Sequence, residues 1–577
     1  MTRTMAETKK SKAAPEPAKE VRPAERNRET VESFVVAIIL AVLIRGFIAE
    51  AFVIPTGSMA PTLMGKHKEL SCPECGETFT VNVHGDDPPR RFDARPEPQE
   101  FGLCSNCRVP VRVDNLPSFK GDRILVSKFP YDLPFLPGAS GPNRWDVVVF
   151  RFPGNPDQSY IKRLVGLPGD ELLIRGGDVF VRRSADSSFI YARKPLEHQK
   201  AMQMLVYNDE HRPKALEGKR EWQRWTATRE GDWTEPRPGL FETTESTDWV
   251  ELGYQHLVPT PTQWDDLLHG RPVVTPKPIL ITDNYSYNSS FTNPDYPWDD
   301  KPHWVGDLTL SCRLDVQSSQ GTVALELVRG GVPFRCEVDL ATGQAVFSKY
   351  GAMLGDPVAT RLRGAGSFDV SFANVDGRLT LWVDGRTPTS MGEGLTHDEG
   401  DEPRPVPTEA DLRPARIAAR GAKVQVSRLQ IQRDIYYTER PKRADYLRAD
   451  SLSYDGAYSG QDELPNDPRI LQESLGDPTK FAAFGTSHGR RFAIAPDKYM
   501  MMGDNSPESY DGREWNDADR DWDTTGRQPW EVPQSLLIGR AFFVYWPHGK
   551  PFWPDIAINK DFHVPFRPYV ERMKWIR

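Results

Sequence analysis

One apolar stretch constrains this chain more than any other feature: "VESFVVAIILAVLIRGFIAEAFVI", from Val31 to Ile54. As a helix it is long enough to cross a hydrocarbon layer about 30 Å thick, although Arg45 and Glu50 interrupt its second half. Those charges would then sit near one membrane face. The preceding segment carries Lys9, Lys10, Lys12, Lys19, Arg22, Arg26 and Arg28, which predicts a cytoplasmic N-terminus and an exported remainder. A cleaved signal peptide is the competing reading, but "IPTGSM" lacks a small-x-small site and the apolar core is long for such a peptide. The expectation is a disordered tail over 1–30 and a single-pass anchor over 31–53. The protein would sit in the inner (cytoplasmic) membrane, with membrane lipid as a partner.

A length of 577 residues exceeds what one core usually fills, so two or three domains follow. Short strand-like runs bounded by Gly, Pro or Asp come after the apolar stretch: "RILVSKF" (123–129), "WDVVVFRF" (145–152) and "YIKRLVGL" (160–167). The pattern returns in "KYMMMGD" (498–504) and "LLIGRAFFVYW" (536–546). This predicts a mainly β body in two parts, 54–175 and 491–577, interrupted by an insertion over 176–490. The first part of the insertion is rich in tryptophan and shows no period, so its structure is left open. From Leu308 the alternation is clean (Leu308, Leu310, Cys312, Leu314, Val316; Leu379, Leu381, Val383; Val424, Val426, Leu429, Ile431), which predicts an antiparallel β-sandwich over about 305–440.

Three groups of residues carry chemistry. Ser58 lies in the turn "IPTGSMAPTL" (54–63), and a serine hydroxyl is a poor nucleophile until a base removes its proton. None of the 11 histidines falls in a triad-like pattern; Lys162, between Ile161 and Leu164, is the alternative base, because burial there would lower its pKa. Taken singly, a serine beside Gly and Pro is a turn residue and a strand lysine a surface charge. The third group is Cys72, Cys75, Cys104 and Cys107, two Cys-x-x-Cys pairs 28 residues apart within an element over 70–110. Such knuckles resemble a zinc ribbon, in which four thiolates hold one structural Zn²⁺; two disulfides in an oxidising exterior are the alternative. Cys312 and Cys336, placed in neighbouring predicted strands, are a further candidate disulfide if the domain is exported, with a buried free pair as the alternative. A formal charge of -8 argues against a nucleic-acid partner.

The ordered combination of "IPTGSMAPTL", "GDRILVSKF" (121–129), "YIKRLVGLPGD" (160–170), "MMGDNSPESYDGR" (501–513) and "VPQSLLIGRAFFVYWP" (532–547) resembles the type I signal peptidases, or leader peptidases, a Ser/Lys membrane protease family. The resemblance implies a signal-peptidase-type β fold with one N-terminal transmembrane helix. It also implies cleavage of exported preproteins after small-x-small sites. Carried across, it makes Ser58 the nucleophile and Lys162 the general base. Thr56 becomes an oxyanion-hole hydroxyl and Ser509 the residue that orients the lysine. Asp504, Asn505, Asp511 and Arg513 brace the site, with Asp511 and Arg513 as an ion pair. Ile54, Pro55, Met59, Leu63, Tyr160 and Ile161 line the substrate pockets. Catalysis needs no cofactor.

The chain departs from that family in its cysteine knuckles, in the size of its insertion and in Gly512, where a serine is common. The segment "GRLTLWVDGRTP" resembles concanavalin-like or laminin-G-like sandwiches, so glycan or protein binding is one role for the insertion and a spacer is another; its partner is left open. A catalytically idle, membrane-tethered binding protein is the alternative function. A third reading keeps the fold but takes the substrate of self-cleaving repressor proteases.

Overall fold

The computed structural model describes residues 23–43, 45, 49–83, 100–128, 131, 141–243, 245–291, 302–398, 400, 405–439, 473–483, 489–515, 528–547, 549–551, 557–559, 562–563 and 566–577. The expected tail lies, up to residue 22, outside the described residues. The chain divides into two compact units, Met1–Glu50 and Ala51–Arg577.

The apolar stretch does not fold as one helix. A helix spans Pro23–Leu43, so its apolar part, residues 31–43, is about 20 Å long at 1.5 Å per residue. A bilayer core needs about 30 Å. Among the described residues no helix is long and apolar enough to cross a membrane, which corrects the expected single-pass anchor over 31–53. The physical reason lies in the second half. Arg45 and Glu50 break the apolar surface, and Ala49–Val53 is the edge strand of a sheet.

That sheet has eight strands, in the order Ala49–Val53, Arg123–Ser127, Leu537–Trp546, Val147–Phe152, Asn155–Gly166, Lys498–Met502 and Glu531–Pro533, with Lys574–Trp575 also paired to Leu537–Trp546. The strand runs read from both ends of the sequence therefore build one body. The run "VVVF" has no polar alternation because both sheet faces are covered. Val147 and Val149 pack with Ile54, Met59, Ile124 and Val544 on one face, and Val148 and Phe150 pack with Leu164, Met501 and Val532 on the other. A smaller sheet pairs Glu171–Arg175 with Arg490–Ala493, joining the two ends of the insertion.

The insertion is a two-sheet sandwich, mainly β as expected, but it begins earlier than residue 305. Met204–Asn208, Trp233–Arg237 and Leu240–Thr243 join one sheet, and Trp225–Ala227 and Val250–Tyr254 join the other. Trp225 and Trp233 are buried in the common core, so the tryptophan-rich stretch supplies sandwich strands too short to show a period. Cys312 and Cys336 lie in opposite sheets rather than in neighbouring strands, and both are free, buried thiols. The candidate disulfide is thereby corrected: Cys312 faces Val370 across its ladder and Cys336 faces Leu325 and Phe347.

Candidate active site

The turn that carries Ser58 is a single 3₁₀ turn, Gly57–Met59, set between the edge strand and a hairpin. It holds because its neighbours are pinned from below: Met59 and Leu63 are fully buried in the sheet core, and the Ile54 N–H donates to the Asp122 carbonyl. The turn therefore carries Ser58 toward the strand Asn155–Gly166. Lys162 comes from that strand, and its Nζ donates to Ser58 Oγ at 2.5 Å across 104 residues of sequence. Both side chains are almost fully buried, with Ser58 9% and Lys162 4% exposed. Tyr160 covers the pair from the outer side, its ring centroid 5.8 Å from Lys162 Nζ and stacked on Phe152.

Thr56 stands at the start of the turn in extended backbone and makes no capping hydrogen bond with its side chain. Ser509 lies beside Gly503 and the Ser58 carbonyl. Its hydroxyl is buried and, among the described residues, without a hydrogen-bond partner. The expected Ser509 contact to Lys162 is thus not among the hydrogen bonds of the site.

Two buried ion pairs lie beside Ser58 and Lys162, Asp511 with Arg513 and Asp504 with Arg163. Asp511 receives both Nε and Nη2 of Arg513, at 2.9 and 2.6 Å, together with the Gly503 N–H at 2.9 Å. Burial opposes ionisation of Asp511, but the Arg513 guanidinium and these hydrogen bonds hold its carboxyl below the usual carboxylate range. Arg513 also donates to Ser506 and to Thr438, a residue of the insertion. Asp504 is gripped by Arg163 through two bonds of 2.6 Å and accepts the Thr62 hydroxyl at 2.5 Å, which ties the segment after Ser58 to the strand of Lys162. Sequence reasoning missed Arg163, although it stands next to Lys162. Nothing local marks its partner, which is 341 residues away.

Asn505 donates its backbone N–H to the Ser58 carbonyl and its Nδ2 to the Gly57 carbonyl, both at 3.1 Å. Of the expected pocket residues, Pro55, Tyr160 and Ile161 present surface, whereas Ile54, Met59 and Leu63 are buried in the sheet core and support the site from beneath. The strand Asn155–Gly166 pairs with Val147–Phe152 along one side, but with Lys498–Met502 only from Arg163 onward.

The four clustered cysteines come together. Cys72 and Cys107, and likewise Cys75 and Cys104, have Sγ atoms 3.6 Å apart, and all four lie within 4.8 Å. Four thiolates about 2.3 Å from one tetrahedral ion stand roughly 3.8 Å apart, whereas a disulfide needs about 2.05 Å. The Cys75 and Asn106 N–H groups donate to the sulfurs of Cys72 and Cys104, as knuckle turns do. The residues fit a closed Cys₄ metal centre, built from the hairpin His67–Ser71 with Thr78–Asn82 and the pair Phe101–Leu103 with Pro110–Arg112.

The family described as "Signal peptidase, peptidase S26" matches residues 27–92, 104–226 and 416–546, more than half of the chain. The chain belongs to this family. It is 27% identical to signal peptidase I of Pseudomonas fluorescens over 38% of its own length and 58% of the relative's. It is 31% identical to that of Pseudomonas aeruginosa over 24% and 32%, and 32% identical to that of Rickettsia massiliae over 26% and 41%. The chain thus spans between about a third and just over half of the length of these relatives. Among solved structures, a carbohydrate-binding module from Bacillus subtilis aligns with 37% of this chain and 96% of its own, at 10% identity and a TM-score of 0.22. A galectin from Caenorhabditis elegans aligns with 22% and 83%, at 14% identity and a TM-score of 0.16.

Proposed function

We propose that this chain is an active signal peptidase, a serine endopeptidase that removes signal peptides from exported preproteins after small-x-small sites. The observation that carries the reading is the 2.5 Å contact between Lys162 Nζ and Ser58 Oγ inside a buried site. Neutral Lys162 takes the Ser58 proton as Oγ attacks the scissile carbonyl carbon. The Ser58 N–H and the Thr56 hydroxyl donate to the developing alkoxide. Lys162 returns the proton to the leaving amine as the C–N bond breaks, and water then hydrolyses the Ser58 ester with Lys162 again as base. No step needs a cofactor.

The substrate residues before the cut lie extended along residues 158–161, where the strand has a partner on its other side, so that main-chain hydrogen bonds align the peptide while Pro55, Tyr160 and Ile161 limit side-chain size. The helix Pro23–Leu43 exposes Val31, Phe34, Val35, Val36, Ile38, Ile39 and Leu40, which point all round its axis, a surface suited to an apolar phase. We propose membrane association through this helix, with the enzyme close to signal peptides still held by lipid. The Cys₄ centre is proposed to hold a structural zinc that stabilises its two hairpins and takes no part in the chemistry.

Cleavage of a preprotein in liposomes by the wild-type chain, Ser58→Ala and Lys162→Ala tests the reading. Cutting after a small-x-small site, lost in both variants, is the expected result. An inert wild type, or normal cutting by Lys162→Ala, overturns it and leaves the idle binding protein as the better account.

A further inference from the structure

The insertion returns one segment to the nucleophile turn. Tyr285 and Tyr287 stack on each other with centroids 5.6 Å apart and pack against Ala60 and Met64. A Cβ added to Gly57 would stand 2.5 Å from the Tyr287 ring, so the ring lies directly on the glycine before the nucleophile. The next residue, Asn288, exchanges two hydrogen bonds with Asn505: Asn288 Nδ2 donates to Asn505 Oδ1 at 2.6 Å, and Asn505 Nδ2 donates to Asn288 Oδ1 at 2.8 Å. The second Nδ2 hydrogen of Asn505 goes to the Gly57 carbonyl. A carbonyl can only accept, so this contact sets the orientation of the Asn505 amide, and the reciprocal pair then sets that of Asn288.

The Gly57 carbonyl and the Ser58 N–H belong to one planar peptide unit. Holding the carbonyl therefore holds the direction of the N–H that would face the alkoxide. We infer that Asn288, supplied by the insertion, is a positioning residue for the oxyanion hole, acting through Asn505 on the Gly57–Ser58 peptide. The inference rests on the serine-peptidase reading above. The segment is anchored on its far side as well, since Ser290–Phe291 pairs with Phe101–Gly102, the strand that leads into Cys104. Asn288 is thus fixed between the Cys₄ element and the catalytic turn. A displacement of about 1 Å in such a donor costs on the order of 100-fold in rate.

The test is steady-state cleavage of a preprotein by the full chain, with melting temperatures measured in parallel, for the wild type, Asn288→Ala, Asn505→Ala, the double variant and the isosteric Asn288→Asp. Expected are a fall of about 10-fold or more in kcat for Asn288→Ala with KM within about twofold, a fall in kcat for Asn288→Asp as well, because its carboxylate cannot donate to Asn505 Oδ1, and a double variant no slower than Asn505→Ala alone, because both residues act through one contact. Wild-type kcat in Asn288→Ala, a loss confined to KM, or losses that multiply in the double variant overturn the inference. Should Asn288→Ala melt below the assay temperature, Asn288→Asp decides: wild-type kcat in it overturns the inference and a reduced kcat at unchanged KM supports it. A wild type that does not cleave at all overturns the serine-peptidase reading itself.

Discussion

Individual residues of the site are held by charges and close contacts that leave little tolerance. Gly503 has no room for a methyl group, since an added Cβ would lie 2.2 Å from Ser509 Oγ and 2.4 Å from the Ser58 carbonyl. Gly503→Ala should therefore abolish cleavage while the chain stays folded, as circular dichroism and an activity assay would show together. Asp504 and Arg163 are both fully buried, so Asp504→Ala leaves an uncompensated guanidinium and should cost about 3–5 kcal/mol in denaturant unfolding. Acid should act through buried histidines. Burial pushes His67, at the start of the strand His67–Ser71, down to about 4 and His198 to about 4, with His256 well below its ordinary value. Below about pH 6.5 the unfolded chain gains protons that the fold refuses until about pH 4, so stability is complete above that window and lost across it. For His67 alone the loss is about 3 kcal/mol. Melting temperatures from pH 7 to pH 4 should fall less steeply for His67→Gln than for the wild type. Asp511, held below the usual carboxylate range, adds a further loss only at lower pH, as its own carboxylate protonates.

At the scale of elements, the apolar stretch and the cysteine element show why local pattern has a limited reach. Hydropathy over residues 31–54 reads as one span because a window of side chains does not reveal that Ala49–Val53 finds its backbone partners at a sheet edge. The knuckles, by contrast, were legible from spacing, since Cys-x-x-Cys determines its own turn. Their consequence for the site was not, because it passes through Ser290–Phe291, almost two hundred residues later in the chain. If the Cys₄ centre holds zinc, Cys104→Ser or a strong chelator should lower the melting temperature and speed amide hydrogen exchange at residues 100–112 and 286–291, and the purified chain should contain close to one zinc per molecule by elemental analysis. Absence of zinc, with exchange unchanged in the variant, would defeat the metal proposal and leave the dyad untouched.

Over the whole molecule, the insertion is part of the same compact body as Ser58 and Lys162 rather than an appendage. Residues 51–577 form one compact unit, Asn288 of the insertion exchanges hydrogen bonds with Asn505, and Thr438 receives Arg513. Deleting residues 184–488, which keeps the paired strands Glu171–Arg175 and Arg490–Ala493, should give a chain that loses cleavage even if it folds, because Tyr287, Asn288 and Thr438 go with it. Retained wild-type kcat in such a deletion would show that the catalytic turn stands without them. The ordered motifs pointed to Ser58, Lys162, Asp504, Asn505, Asp511 and Arg513 only through their resemblance to a known family, and the structure brings these residues into one buried cluster. Period-two alternation was enough to find the long sandwich strands, while strands of three to five residues around Trp225 and Trp233 carried too few alternations to be read. The pairing of Arg163 with Asp504, the opposite sheets of Cys312 and Cys336, and the contact of Asn288 with Asn505 were decided only by the tertiary structure. Each joins residues from elements that become neighbours when a sheet closes or two sheets pack, and that adjacency is a property of the whole chain's core.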